Sequence, residues 1–215
     1  MTGHAHHRGA HDDGLIRWAA RYDLLQRVFW RRGRRWRNAL LDELDLRPGQ
    51  RVLDVGSGPG QLAQAMADRV QPGGSVDGVD GASEMVRHAE RRNRRRQRPV
   101  TFTTARAQEL PFADATFDAV TCTLVLHHVA PDARAAAAAE MYRVLRPGGR
   151  VLVADFDDSG GGGLTPLARL HSRHPEHAGS LDRAVGLLSA AGFTVGTPGR
   201  TPIGGIGRVV ATRPA

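Results

Sequence analysis

The chain has 215 residues, 40 % of them hydrophobic, which suffices for one large domain with its own core. Its formal charge is +8 and it contains no lysine, so all 30 basic residues other than histidine are arginine; aromatic residues make up only 5 %. These values argue against an aromatic platform for nucleic acid, no run approaches the ~18 apolar residues of a membrane span, and a single cysteine, Cys122, excludes an internal disulfide.

The polar N-terminus lacks the apolar stretch of a signal peptide, and with the lone cysteine this sets the expectation of a cytoplasmic protein. The arginine excess accompanies many alanines and glycines and reads as a compositional bias. A basic balance permits a nucleic-acid partner without favouring one.

Residues 1–14, rich in histidine and glycine, are expected to form a disordered tail; His4, His6, His7 and His11 there lack the geometry of a metal set. Residues 15–48 read as a helical lead-in, first with Ile16, Ala19, Ala20 and Tyr22, then with Val28, Trp30, Trp36, Leu40, Leu41 and Leu44. Tyr22 and Trp30 suit either a lid over a ligand or ordinary helical core. Arg47-Pro48-Gly49-Gln50 is a turn signal, and residues 49–215 form the main domain.

Within that domain the pattern alternates. Strands are expected at Val52–Val55, Val76–Val79, Val100–Thr104, Phe117–Cys122 and Val151–Ala154. Helices are expected at Gln61–Val70, Glu84–Arg94, Asp132–Leu145, stopped by Pro147-Gly148-Gly149, and Leu181–Ala191, capped by Gly192. Gly160–Gly163 reads as a loop, and Phe193–Val195 with Arg208–Ala211 as a closing antiparallel pair. Strands alternating with helices predict a doubly wound α/β fold: a mostly parallel, seven-stranded sheet with an antiparallel C-terminal strand.

The central signal is Val52 to Gly60, VLDVGSGPG. A strand ends near Asp54, a tight turn carries Gly56, Ser57, Gly58 and Gly60, and a helix begins at Gln61. Glycines there allow a ligand to approach the backbone closely. The spacing is G-x-G-x-G, not the G-x-G-x-x-G of dinucleotide folds, and Asp54 would repel a pyrophosphate but suits an ammonium group. With no lysine, a phosphate-binding P-loop is excluded. The next strand ends in Asp80, whose carboxylate can accept from two ribose hydroxyls. Together the two features point to an adenosyl ligand with an amino-acid tail.

Four motifs in order, VLDVGSGPG (52–60), GVDGASEM (78–85), QELPFADATFDAV (108–120) and EMYRVLRPGG (140–149), resemble the class I S-adenosylmethionine-dependent methyltransferases. The group they are most similar to holds the ubiquinone/menaquinone-biosynthesis and small-molecule methyltransferases. The resemblance implies that the cofactor is S-adenosylmethionine, held by Asp54, Gly56, Ser57, Gly58, Gly60, Asp80, Gly81, Met85, Ala107, Gln108 and Thr123. Asp54 and Gly56 would lie near the methionyl end, Asp80 at the ribose, and Ala82 or Met85 at the adenine. Where the group usually has an aspartate that accepts from the adenine amino group, this chain has Arg106, which cannot accept a hydrogen bond. Backbone groups around Ala107 would then read the adenine.

Methyl transfer needs alignment of the acceptor, and a base only where the acceptor must lose a proton. His127 and His128 follow the fourth strand and Asp155 ends the fifth, so His127 oriented by Asp155 is the candidate base, with a support role beneath the cofactor as the other reading. The expected activity is methylation of a small molecule at oxygen or carbon. An RNA or protein methyltransferase using the arginine surface and a non-catalytic cofactor-binding relative are the competing readings.

Overall fold

The computed structural model describes residues 33–157 and 179–215. The N-terminal tail, Tyr22, Trp30 and the Gly160–Gly163 loop lie outside them.

Helix α1, described over residues 33–44, leads into β1 (Arg51–Val55), α2 (Gln61–Val70), β2 (Ser75–Asp80), α3 (Ser83–Arg94), β3 (Val100–Thr104) and β4 (Phe117–Thr123). Two 3-10 turns, Leu126–His128 and Pro131–Ala133, precede α4 (Arg134–Val144) and β5 (Leu145–Phe156). After the second described segment opens come α5 (Ser180–Ala190), β6 (Thr194–Val195), β7 (Gly199–Arg200) and β8 (Ile206–Thr212).

All the strands among the described residues lie in one sheet, ordered β3-β2-β1-β4-β5-β8-β6, with β7 also on β8. β1 to β5 are parallel, and β8 runs antiparallel to β5 from Arg150↔Thr212 to Phe156↔Ile206. The order reverses at β1/β4, the point at which such sheets open a crevice at the carboxyl ends of the strands.

The described residues form eight strands, one more than the sequence predicts. The extra strand comes from an interruption. β6 pairs with Ala211 and Thr212, β7 with Gly207 and Arg208, and Gly196 still donates to the Val210 carbonyl at 2.9 Å. Pro198, which has no N–H to give, separates the two short pieces of one outer strand.

Alternation along the strands splits the core into two layers. Leu53, Val55, Val120, Cys122, Val151 and Val153 pack with Met141 of α4 and Leu188 of α5. Val52, Ala119, Leu152 and Ala154 pack on the other face with Leu40 and Leu41 of α1, Met66 of α2 and Ala89 of α3. Leu40, Leu41 and Leu44 are each at most 3 % exposed, so α1 belongs to the main core.

Two boundaries differ from the sequence pattern. The alanine-rich segment begins as a 3-10 turn at Pro131 and becomes α-helical only at Arg134. It ends at Val144, ahead of the Pro-Gly-Gly signal, because Leu145 already pairs with Phe117 and the Pro147–Gly149 residues loop out before Arg150 pairs with Ala119. At the end of α5 the Gly192 expectation holds. Gly192 has φ +99°, donates to Ser189, and Phe193 donates to Leu188, the bond pattern of a Schellman cap.

Candidate functional site

The glycine turn after β1 is held from both sides. Ser57 donates its backbone N–H to the Val79 carbonyl at 2.8 Å, tying the turn to β2, and Gly60 donates to Ser57 at 2.9 Å. Gly56, Gly58 and Gly60 have φ of +69°, +50° and +75°. A Cβ on Gly56 would stand 2.1 Å from Val125 Cγ2, and one on Gly60 2.4 Å from Phe102 Cζ. A Cβ on Gly58 would meet nothing within 4 Å. Gly56 and Gly60 are therefore glycines for internal packing, whereas the outer side of Gly58 is open to a ligand.

Asp80 closes the second side. Its Oδ2 accepts from the Gly58 N–H at 2.8 Å and its Oδ1 from the Ala82 N–H at 2.8 Å. Each carboxylate oxygen retains acceptor capacity. Burial raises the Asp80 carboxyl above the usual range, against which the Ala82 and Gly58 N–H groups work. A Cβ on Gly81 would meet nothing within 4 Å, so the surface beside Asp80 is open as well.

Asp54 lies beneath the turn, 1 % exposed. Its Oδ1 accepts from the Thr121 hydroxyl at 2.7 Å, across the β1–β4 register that pairs these residues. Its Oδ2 is buried with no hydrogen-bond partner. Burial, the largest influence, pushes its pKa up to about 7; Thr121 and the Ala63 backbone lower it, and Asp80 raises it further. An orphaned buried carboxylate oxygen is costly, and a cationic ligand group is one way to satisfy it.

The adenine-side candidates line one margin. Met85 is half-buried in the first turn of α3, and Ala107 and Gln108 are half-buried after β3. Ala105 donates to the Asp80 carbonyl at 3.1 Å, so the structure brings this segment directly beside the ribose candidate. Arg106 is exposed, and its carbonyl accepts from Glu109 at 3.1 Å. Thr123 ends β4 opposite Ala154.

His127 and Asp155 meet as expected: Nδ1 lies 2.7 Å from Asp155 Oδ1, and the two side chains are 2 % and 0 % exposed. Asp155 Oδ1 also accepts from the Phe156 N–H at 2.9 Å. The His127 ring lies edge-on to Phe156, with centroids 4.9 Å apart. By strand alternation Asp155 shares the face of Val151 and Val153, while Asp54 shares that of Val52. The histidine pair and the cofactor candidates thus approach the strand ends from opposite faces.

Sequence reasoning missed three features. Thr121 holds Asp54, and strand alternation could have exposed it. Leu124 has φ +58°, rare for a bulky residue, and bends the chain so that Val125 packs on Gly56; no local sequence signal marks it. Glu140 and Arg143 clamp the 110–114 turn. Glu140 accepts from the Leu110 N–H at 2.7 Å, and Arg143 donates to the carbonyls of Leu110 and Phe112 and to Asp114. That clamp explains why EMYR accompanies QELPFAD in the sequence.

A strand-order switch point with an open glycine turn, a braced carboxylate suited to a ribose and an unsatisfied buried acid defines an adenosyl-ligand fold of the methyltransferase kind. The methyltransferase domain family matches residues 52–149. A demethylmenaquinone methyltransferase of Beutenbergia cavernae is 39 % identical over 181 residues, 78 % of this chain and 71 % of that protein. Another of that name from Thermus thermophilus is 40 % identical, over 64 % of this chain and 62 % of its own length. A solved S-adenosylmethionine-dependent methyltransferase of Aquifex aeolicus superposes with a TM-score of 0.69 at 23 % identity, covering 82 % of this chain and 88 % of that one. The chain belongs to the class I S-adenosylmethionine-dependent methyltransferases. S-adenosylmethionine is its cofactor.

Proposed function

We propose that the chain methylates a small aromatic acceptor of the quinol type at a ring carbon. The reading takes its acceptor chemistry from the named activity of its relatives. The observation that carries the cofactor half is Asp80, braced on both oxygens by backbone N–H groups and bordered by the open sides of Gly58 and Gly81.

In this reading Asp80 accepts from the ribose hydroxyls. The buried Asp54 oxygen pairs with the methionyl ammonium, and Gly56, Ser57, Gly58 and Gly60 let the ligand lie against the turn. Met85 and Gly81 border the adenine, Ala107 and Gln108 supply backbone groups in place of the acceptor that Arg106 lacks, and Thr123 stands at the mouth of β4. When bound, S-adenosylmethionine supplies an electrophilic methyl on a sulfonium. The chain aligns the acceptor with it and keeps water out.

We assign the His127–Asp155 pair to positioning. With both side chains almost fully buried, the pair anchors the 3-10 turn Leu126–His128, and with it the Leu124–Val125 wall against Gly56. A second reading, His127 as the base that takes the acceptor's hydroxyl proton, is favoured by the Nδ1 contact, through which Asp155 orients the imidazole. No helix among the described residues is long and apolar enough to cross a membrane. We place the reaction in the cytoplasm, where the buried thiol of Cys122 stays reduced.

The direct test is incubation with S-adenosylmethionine and a reduced naphthoquinone bearing a vacant ring carbon. Methyl incorporation at carbon is the expected product. Methylation of tRNA or of protein instead, with none of the quinol, would overturn the acceptor assignment.

A further inference from the structure

Two arginine-rich stretches far apart in sequence, 34–37 and 91–98, flank the same helix. Arg37 of α1 donates to Gln61 Oε1 at the start of α2 at 3.2 Å, and Asp42 of α1 pairs with Arg69 at its end at 2.8 Å. On the other flank Arg98 pairs with Asp68 of α2. The guanidinium of Arg37 is held below its usual range by burial first, then by Arg34 and Arg96, so cations from both runs come within electrostatic reach of one another.

The charge on this face is segregated. Arg34, Arg35, Arg91, Arg94, Arg95 and Arg96 are all exposed, and none makes an ion pair among the described residues. Elsewhere exposed arginines without an acid, Arg106 and Arg200 among them, stand singly along the chain, and others are matched to acids, as in Arg51–Asp77, Arg146–Asp118, Arg143–Glu140 and Arg208–Glu43. Asp42 and Asp68, the acids between the two runs, are already engaged by Arg69 and Arg98. A compositional bias would scatter unmatched arginines over the surface. Gathering them on one face costs repulsion that an anionic partner relieves.

We propose that the face formed by α1, α2 and the end of α3 docks on an anionic membrane surface. This rests on the reading that the acceptor is a quinol, which partitions into a bilayer. Gln61 follows directly on the glycine turn, so Arg37 ties the basic face to the mouth of the site. The run 91–98 contains no apolar or aromatic side chain, so contact is electrostatic, without insertion and without a base-stacking platform.

The test is co-sedimentation of the full chain with phosphatidylcholine vesicles carrying about 30 % phosphatidylglycerol, against vesicles of phosphatidylcholine alone. Binding to the first, absent on the second and lost at about 0.5 M salt, is expected. Arg94→Gln/Arg95→Gln/Arg96→Gln and, separately, Arg34→Gln/Arg35→Gln should each weaken it about tenfold or more, with S-adenosylmethionine binding and thermal stability unchanged. Equal binding to neutral vesicles, unchanged binding by both variants, or tighter binding to duplex RNA than to the anionic vesicles at the same salt would overturn the proposal. A water-soluble quinol separates the two claims. If it is methylated while vesicles are ignored, the docking surface fails and the acceptor reading stands; if vesicles bind and it is not methylated, the acceptor reading fails.

Discussion

Gly58 gives its backbone N–H to Asp80 Oδ2 across 2.8 Å, so the glycine turn of β1 and the carboxylate of β2 form one rigid unit. The bond fixes the spacing between the place where a ligand can lie on the turn and the group that can hold its ribose. It also gives the glycines of this turn two different duties.

Gly56→Ala and Gly58→Ala should separate those duties. At both sites alanine would adopt a left-handed backbone, at roughly 1–2 kcal/mol. At Gly56 the methyl would also collide with Val125 at 2.1 Å, so thermal stability should fall further there. At Gly58 the space is empty, and the loss should appear chiefly in cofactor affinity. Thermal melts with and without S-adenosylmethionine check this. A Gly58→Ala protein with full cofactor affinity would remove the turn from the binding surface.

If Asp54 meets the cofactor ammonium as proposed, cofactor binding should depend on pH. Its carboxyl is pushed up to about 7, so the ligand-free fold holds this proton more tightly than the unfolded chain does. The stability it contributes is present below the ordinary value of 3.8 and is lost as pH rises through about 7. A ligand ammonium favours the ionised form, so affinity should climb as pH rises through about 7 and then level off. Asp54→Asn should flatten that profile, weaken binding and raise the stability of the ligand-free protein at about pH 8. An unaltered pH profile in Asp54→Asn would show that another group titrates.

Much of this was legible in the residues themselves. The period-two runs placed β3 at its observed Val100–Thr104 limits, and the helical period placed α2 at Gln61–Val70. Gly56, Gly58 and Asp80 could be read because turns of positive φ and strand-end acids leave local marks. The opposite-face placement of Asp54 and Asp155 depends on register across β1, β4 and β5, which no local pattern carries. Leu124 is the clearest miss. A leucine gives no local warning of φ +58°. The split of β6 from β7 was readable in retrospect from Pro198, but only once β8 was known to have a free edge.

The clamp from α4 should be felt at the cofactor. Arg143→Met removes donors to Leu110, Phe112 and Asp114, at about 1–3 kcal/mol of stability. Hydrogen exchange at residues 105–114 should speed up and S-adenosylmethionine affinity fall several-fold. Glu140→Gln, which keeps an acceptor for the Leu110 N–H, should do less. Equal affinity in wild type and Arg143→Met would confine the clamp to stability.

Removing one member of the buried His127–Asp155 pair takes a hydrogen-bond partner from the other, at roughly 1–3 kcal/mol. For a positioning pair, His127→Gln should lower stability and cofactor affinity together, with turnover falling only in proportion. A loss of about 100-fold or more in kcat at unchanged cofactor affinity would instead mark His127 as the base.

The central claim is that Asp80 and the glycine turn hold S-adenosylmethionine, and calorimetric titration of the wild type and Asp80→Ala tests it most directly. The account predicts saturable binding to the wild type, no binding of NAD, and a loss in Asp80→Ala of roughly 1.5–3 kcal/mol for each charged hydrogen bond removed. A folded Asp80→Ala protein that binds S-adenosylmethionine as tightly as the wild type would contradict it.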